Sequence, residues 1–243
     1  MINMDILDVS IILLAGLLGY SFAGVAGFGG GVMLMPTLTF FMGPHAALPT
    51  LCFCSLFATS ARVWLNRQHI DWKVNLYFLI GAIPLTVLGT TIFIALDQST
   101  IERVLGVFIL VILVSKYLPI TRNFKMKLWG FIPLGGITAF IAGVVGVPGP
   151  FTSVFFLNYG LQRMAFIGTF AFAMGALNIP KLAVFSLNGF ITKDVIFIGT
   201  AIGFIGIAAS YFGTKVVQKL PDRLFTIFIN VVLLAFALFF IIK

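Results

Sequence analysis

Two basic residues, Arg62 and Lys181, lie within apolar segments of the sequence, 119 residues apart. Lys181 is seven residues from the segment end predicted at Asn188, which places it about 10 Å inside a membrane. An intramembrane lysine with no acidic residue near it in sequence is costly and indicates a binding function. Arg62 lies only about 7 Å from a loop, so a side chain that extends to the membrane surface explains it as well as a binding role does.

A glycine-rich stretch precedes each of these cations. Residues 23–31 read AGVAGFGGG, and residues 142–150 read AGVVGVPGP, with five of eight positions identical between 23–30 and 142–149. Each glycine costs about 1 kcal/mol relative to alanine in a helix, and apolar sequence flanks both stretches. We therefore expect broken backbone at membrane depth, surrounded by protein or by a water-filled cavity. Paired broken segments in two halves of a chain are typical of a transporter binding site.

The chemistry that this pattern predicts is anion binding. Broken backbone exposes N–H groups, and a half-helix that begins after each break points its positive end toward the same place. Thr59 and Asn178, one turn from the cations, either contact the anion as well or hydrogen-bond only their own helix backbone. Close packing through Gly27-x-x-x-Gly31 is the alternative explanation for the glycines. The predicted substrate-binding residues are Gly27, Gly29, Gly30, Gly31, Thr59, Arg62, Gly146, Gly149, Asn178 and Lys181.

Other kinds of site find little support. The seven acidic residues all lie at predicted segment ends, so we expect no intramembrane carboxylate for a metal site, a proton relay or acid–base catalysis. His45 and His69 are near loops, and Cys52 and Cys54 are two apart on one predicted helix, so they cannot pair with each other. The glycine stretch is not a dinucleotide-binding motif, because no predicted strand precedes it and no acidic residue follows at the required distance. It is not a phosphate-binding P-loop either, because Gly-Lys-Ser/Thr is absent. We expect no enzyme, no cofactor and no metal.

The composition predicts an integral membrane protein. Of 243 residues, 60% are hydrophobic and 9% are charged, whereas soluble domains carry about 25% charged residues. The net charge of +8 does not indicate nucleic-acid binding, because the basic residues cluster in short loops between apolar runs, as membrane topology requires. Residues 9–28 are expected to be a retained span rather than a signal peptide. We expect the protein to be a multi-pass protein of the plasma membrane.

The predicted fold class is an all-α polytopic protein with two homologous repeats, 8–10 membrane segments, and broken or re-entrant helices at the glycine motifs. The apolar segments are 9–28, 30–44, 46–66, 74–95, 102–120, 128–146, 150–162, 165–187, 195–214 and 223–242. Eight of them approach the length of about 20 residues that a crossing needs. Segments 30–44 and 150–162 are shorter.

Internal similarity divides the chain into a first repeat (1–118), a basic linker (119–127) and a second repeat (128–243). At the offset of 119, residues 45–66 also align with 164–185, which places Arg62 over Lys181. Five crossings per half would make the repeats inverted, and basic residues then divide eleven inside to three outside. Four crossings per half divide them nine to five. The positive-inside rule therefore favours inverted repeats.

Four motifs together carry a family resemblance. They are Gly24-x-x-Gly27-Phe28-Gly29-Gly30-Gly31 followed by Pro36, Gly143-x-x-Gly146-x-x-Gly149, Asp71-Trp72 at the opening of a span, and Asn178-x-x-Lys181. On these motifs the sequence resembles the sulfite exporter TauE/SafE family over nearly its whole length. The resemblance implies transport of small sulfur-containing anions such as sulfite, sulfonates and sulfoacetate. Pro148 and Pro150 depart from the pattern, since other members tend to have glycine there.

The sequence therefore predicts a membrane transporter of a small anion that works by alternating access. The substrate is expected to be a sulfur oxyanion or an organosulfonate. An anion channel and a scaffold subunit that transports nothing are the alternatives. Expected partners are the anionic substrate and membrane lipid, but no nucleic acid, and a homo-oligomer is left open.

Overall fold

The computed structural model describes residues 5–115 and 125–217. These residues form nine α-helices and two single 3-10 turns and contain no strand. The helices are α1 (Ile6–Ala26), α2 (Gly30–Met42), α3 (Pro44–Leu65), α4 (Trp72–Ala95), α5 (Gln98–Ser115), α6 (Phe131–Val144), α7 (Gly149–Asn158), α8 (Arg163–Leu187) and α9 (Lys193–Val217). The predicted all-α class is therefore confirmed.

The multi-pass membrane character is also supported. Within the described residues, five helices are long and apolar enough to cross a membrane, namely α1, α3, α4, α8 and α9. Helix α2 is apolar but shorter. The total of 8–10 membrane segments and the re-entrant course of the short helices stay predictions. Residues 119–124 of the predicted linker and the segment 223–242 lie outside the described residues.

Local sequence explains where the central helices begin. Helix α3 starts at Pro44, a position where the missing N–H costs nothing because a first-turn N–H has no acceptor in the helix. Helix α4 starts after Asp71, whose carboxylate accepts hydrogen bonds from the backbone N–H groups of Lys73 and Val74 at 3.0 and 3.1 Å. The backbone N–H of Asp71 in turn donates to the hydroxyl of Thr169 on α8 at 2.9 Å. This contact joins the start of α4 to α8.

Glycines bring helices from the two halves of the chain into close contact. Helix α9 packs along α1, and helix α4 packs along α6. A Cβ atom at Gly24 would lie 2.8 Å from the carbonyl oxygen of Ser210 on α9. A Cβ atom at Gly143, the equivalent position 119 residues later, would lie 2.7 Å from the backbone nitrogen of Thr90 on α4. The packing is therefore reciprocal, as a duplicated chain predicts, although the division into two repeats itself stays a prediction.

Helices α3 and α8 lie at the centre of the described structure. In their spanning windows, 56% and 50% of the residues are buried, the highest fractions among the five long helices. They pack against each other, and each also contacts a long helix from the other half, α9 for α3 and α4 for α8. The two predicted cations, Arg62 and Lys181, are thus carried on the two most buried of the five long helices.

Candidate functional site

Both glycine stretches interrupt the helices, as the sequence predicts. Helix α1 ends at Ala26 and α2 begins at Gly30, and the backbone between them passes through φ values of 83° at Gly27 and 108° at Gly29. The second break, between α6 and α7, has a φ of 90° at Gly146. Side chains rarely adopt this left-handed region, so glycine at these three positions is required by the backbone.

The two breaks lie against each other. A Cβ atom at Gly149, the first residue of α7, would be 3.5 Å from the Cβ atom of Phe28 and 4.0 Å from the backbone nitrogen of Gly29. A Cβ atom at Gly31 would be 2.8 Å from the side chain of Val147 in the second break. The N-terminal ends of α2 and α7 therefore meet at one place, although the chain separates them by more than a hundred residues.

A cavity lies at this meeting point. Its wall includes all ten predicted binding residues: Gly27, Gly29, Gly30, Gly31, Thr59, Arg62, Gly146, Gly149, Asn178 and Lys181. The volume open to the centres of water-sized spheres is about 80 Å³, and one water needs about 10–15 Å³. No Asp or Glu is among the lining residues in the described part of the chain. The predicted residues are thus brought together, whereas their role in binding stays a prediction.

Helices α3 and α8 line the cavity with equivalent faces. The cavity-lining residues of α3 are Leu51, Ser55, Thr59 and Arg62. The residues 119 positions later on α8 also line it, namely Phe170, Met174, Asn178 and Lys181. The sequence analysis missed Ser55 and Met174, both one turn before a predicted residue. Helical spacing was the signal that could have found them, because residues four apart share one face.

The two breaks offer unequal numbers of hydrogen-bond donors. At the α2 end, the N–H groups of Gly29, Gly30 and Gly31 have no backbone acceptor among the described residues. The equivalent positions at the α7 end are 148, 149 and 150, and two of these are prolines, which have no N–H. Over these three pairs of positions, the α2 end therefore has three such N–H groups and the α7 end has one.

Arg62 is buried and turned toward the first break. Its Nη1 atom donates to the carbonyl oxygen of Gly27 at 2.7 Å and to that of Ala23 at 3.4 Å, and its Nε atom donates to Ala58 at 3.4 Å. The side chain is only 7% exposed. Its position excludes the interpretation in which Arg62 extends to the membrane surface. A cation at this place stabilises the negative C-terminal end of α1.

Lys181 is 3% exposed and lines the same cavity. Its side chain lies close enough to the thiol of Cys52 to interact with it electrostatically. Sequence reasoning did not connect these two residues, because their proximity depends on how α3 and α8 pack. Cys52 and Cys54 are both free and buried, as expected from their spacing.

The two neutral residues hydrogen-bond their own helices. The hydroxyl of Thr59 donates to the carbonyl oxygens of Ser55 and Leu56, the latter at 3.2 Å. The Nδ2 atom of Asn178 donates to Met174 at 3.4 Å. Thr59 therefore fits the alternative in which it serves its own backbone. Asn178 still has its amide oxygen and a second N–H for a ligand.

One acidic residue differs from the expectation that acids lie only at segment ends. Glu102 is the fifth residue of α5 and is 2% exposed, and it accepts a hydrogen bond from the side chain of Gln98 at 2.9 Å. The sequence placed it at a boundary because the predicted segment began at residue 102, whereas α5 begins at Gln98. Glu102 is not among the residues that line the cavity.

Comparison with known proteins identifies related sequences. The family model described as sulfite exporter TauE/SafE matches residues 12–240. A curated relative, "Probable membrane transporter protein YunE" from Bacillus subtilis (strain 168), is 23% identical over 116 residues. That match covers 43% of this chain and 42% of the relative, so it spans less than half of either protein. No solved structure matches the chain.

Proposed function

The chain belongs to the sulfite exporter TauE/SafE family, and we propose that it carries a small anion across the membrane through the cavity between its two helix breaks. The transported species is a sulfur oxyanion or an organosulfonate, such as sulfite or sulfoacetate. The family and the relative named as a membrane transporter support transport. The chemistry of the cavity wall supports an anion.

The observation that carries this proposal is the charge pattern of the cavity. The N-terminal ends of α2 and α7 line it together with Lys181, and none of its lining residues in the described chain is acidic. A helix N-terminus offers free N–H groups and roughly half a positive elementary charge. Two helix ends and one side chain therefore attract an anion at the same place, and no carboxylate opposes them.

The energetics of Lys181 favour a bound anion. A charged lysine costs about 2.5–3.5 kcal/mol at the centre of a spanning helix. Lys181 lies six residues before the end of α8 and is only 3% exposed, so its charge also loses most of its contact with water. An anion in the cavity would offset this cost by pairing with the ammonium group. The N–H groups of the breaks would in turn offset the cost of burying the anion, because they would donate hydrogen bonds to it.

The size of the cavity supports a small substrate. About 80 Å³ is open to the centres of water-sized spheres, which is room for several waters or for one small oxyanion with part of its hydration shell. Apolar side chains, among them Phe28, Leu51 and Phe170, also line the cavity. They suit an anion with a short hydrocarbon part, such as a sulfonate, at least as well as an inorganic one.

Alternating access is the mechanism that we propose for movement of the anion. In many transporters, two repeats rock around a substrate site formed by broken helices. The reciprocal glycine contacts of α1 with α9 and of α6 with α4 support two such units. Gly27 and Gly29 both have positive φ values, and neither has a side chain that would obstruct a change in the direction of the backbone.

The proposed function is tested by flux into proteoliposomes that contain the purified protein. Sulfite, sulfate, thiosulfate, sulfoacetate and acetate are first compared for their effect on thermal stability in detergent, since a ligand that binds the folded state raises it. The stabilising anion is then followed across the vesicle membrane. We expect saturable uptake that is accelerated by the same anion on the opposite side. A conductance far above transporter turnover would instead indicate a channel, and the absence of any stabilising anion would contradict the proposal.

A further inference from the structure

We propose that Arg62 is a built-in cation that occupies the carbonyl site of the first helix break, so that anion binding requires no dissolved sodium ion. This inference rests on the proposed function, because it concerns the same cavity. It assigns Arg62 a positioning role on the backbone of the break and leaves Lys181 as the cation that contacts the anion.

The first argument is the position of the guanidinium group. Where a spanning helix is broken, the carbonyl groups at the C-terminal end are partly negative, and in transporters they often coordinate Na⁺. Here the Nη1 atom of Arg62 lies 2.7 Å from the carbonyl oxygen of Gly27 and 3.4 Å from that of Ala23. A covalently attached positive charge thus stands where a dissolved cation would be coordinated.

The second argument is the contrast with the other break. Lys181 is the counterpart of Arg62, and Ala142 and Gly146 are the counterparts of Ala23 and Gly27. Among the hydrogen bonds of the described residues, none joins Lys181 to either of these carbonyls. Lys181 is therefore not held by the backbone of its own break and contacts the thiol of Cys52 instead, whereas Arg62 is held by three carbonyl oxygens.

The two side chains differ chemically in the same sense. Arginine has a planar fork of donors that can bind several acceptors in a fixed geometry. Lysine is a compact point charge on a flexible stem, suited to following a ligand that enters and leaves. Arg62 is only 7% exposed, and Lys181 lines the same cavity. Residue type as well as position therefore suits Arg62 to holding the backbone of the break and Lys181 to contacting the anion.

The experiment measures anion affinity and thermal stability in buffers whose cation is sodium, potassium or N-methylglucamine. We expect the parent protein to bind the anion equally well in all three. We expect Arg62→Ala to bind at least about tenfold more weakly, the loss of one hydrogen-bonded charge. Millimolar guanidinium should restore both affinity and thermal stability to this variant, because the added ion refills the site left by the side chain. Sodium should also raise the affinity of Arg62→Ala but not that of the parent.

Arg67→Ala is the matched control. Arg67 is an exposed arginine just beyond the same helix, over the ring of Trp64, and its Nη1 atom also donates to a carbonyl oxygen. Guanidinium should not change the affinity or stability of this variant. A sodium-dependent affinity in the parent would overturn the inference, as would parent-like affinity in Arg62→Ala or equal rescue of both variants. If the parent bound no anion at all, the proposed function would fail, whereas guanidinium-specific recovery of Arg62→Ala stability would still test the carbonyl site.

Arg62→Lys covers the case in which Arg62→Ala does not fold. Lysine keeps the charge but loses the fork of donors, so we expect an intermediate affinity that sodium does not change. The comparison of cations on the parent protein needs no variant, and a sodium-dependent affinity there would overturn the inference even if neither substitution can be purified.

Discussion

Gly175 on α8 lies directly against Thr59 on α3, so that a Cβ atom at position 175 would be 2.8 Å from the hydroxyl oxygen of Thr59. This contact fixes the distance between the two helices that carry Arg62 and Lys181. The hydroxyl itself is held by carbonyl groups of α3 and cannot easily turn away. The close approach of α3 and α8 therefore depends on glycine at position 175.

The first prediction follows from this contact. Gly175→Ala should destabilise the protein by about 1–3 kcal/mol, the usual cost of an added methyl group in a packed core. In a Thr59→Ala background, which removes the hydroxyl, the same substitution should cost much less. Unfolding in detergent for the four proteins of this cycle gives the coupling energy. Equal costs in both backgrounds would show that the two residues do not limit the helix distance.

The second prediction concerns the space between the breaks. A Cβ atom at Gly149 makes ordinary contacts with Phe28 and Gly29, so Gly149→Ala should fold normally. The added methyl group would stand between the two helix ends and should weaken anion binding. The affinity measured by calorimetry, compared with the melting temperature, separates the two effects. Unchanged affinity in a folded Gly149→Ala protein would argue against an anion between the helix ends.

Position 149 is a sharper test than the break glycines of α2. A Cβ atom at Gly29 would be 2.7 Å from the ring of Phe22, and one at Gly30 would be 2.7 Å from the ring of Tyr20. Valine at either position would block binding directly if open space for the ligand lay beside it. The structure places aromatic rings there, so Gly29→Val and Gly30→Val should lower stability first, and any loss of binding would follow from that.

The third prediction concerns pH and the start of α5. Hydrogen bonds from Thr100 and Ser99 hold the pKa of the Asp97 carboxyl group below its ordinary range. Because the folded protein favours the charged form, Asp97 stabilises the fold above the pKa of the unfolded chain, about 3.9, and this contribution is lost as the pH falls below that value. Asp97→Ala should therefore melt lower than the parent at neutral pH. The difference should shrink below about pH 4, and a difference that grew on acidification would contradict the assignment.

The fourth prediction concerns topology. The predicted loop 215–223 begins within the last three residues of α9, and its remainder lies outside the described residues. With inverted repeats, this loop faces the cytoplasm, as the eleven-to-three distribution of basic residues favours. A cysteine introduced at Lys219, in a background without Cys52 and Cys54, should react with a membrane-impermeant maleimide only when the cytoplasmic face is accessible. Labelling from the outside of intact cells would instead indicate parallel repeats and eight crossings.

Much of the candidate site could be predicted from the sequence because two signals are local. Glycines that break a helix and charges that interrupt an apolar segment are visible in the sequence itself, and both recur 119 residues later. The structure accordingly brings all ten predicted residues to one cavity. The helical class followed in the same way from the apolar segments, whose bounds agree with α3 and α8 to within a few residues.

The remaining features depend on packing between distant parts of the chain. The hydrogen bond from Arg62 to the carbonyl oxygen of Gly27 depends on the direction of the arginine side chain. The sequence does not determine this direction, so extension to the membrane surface and a binding role explained Arg62 equally well. The proximity of Cys52 to Lys181 requires that α3 packs against α8, and the contact of Gly149 with Phe28 requires that the two helix breaks meet. Residue spacing along the chain contains no information about these distances.

Lys181 provides the most direct test of an anion site in this cavity. The measurement is anion affinity by calorimetry for the parent, Lys181→Met, Lys181→Arg and the control Lys193→Met, which removes an exposed lysine at the start of α9. We predict that Lys181→Met remains folded and binds at least about tenfold more weakly, since a buried charge–charge hydrogen bond is lost. Lys181→Arg should retain more affinity than Lys181→Met, and Lys193→Met should match the parent. If Lys181→Met bound the anion as tightly as the parent, the site would lie elsewhere and the account would be wrong.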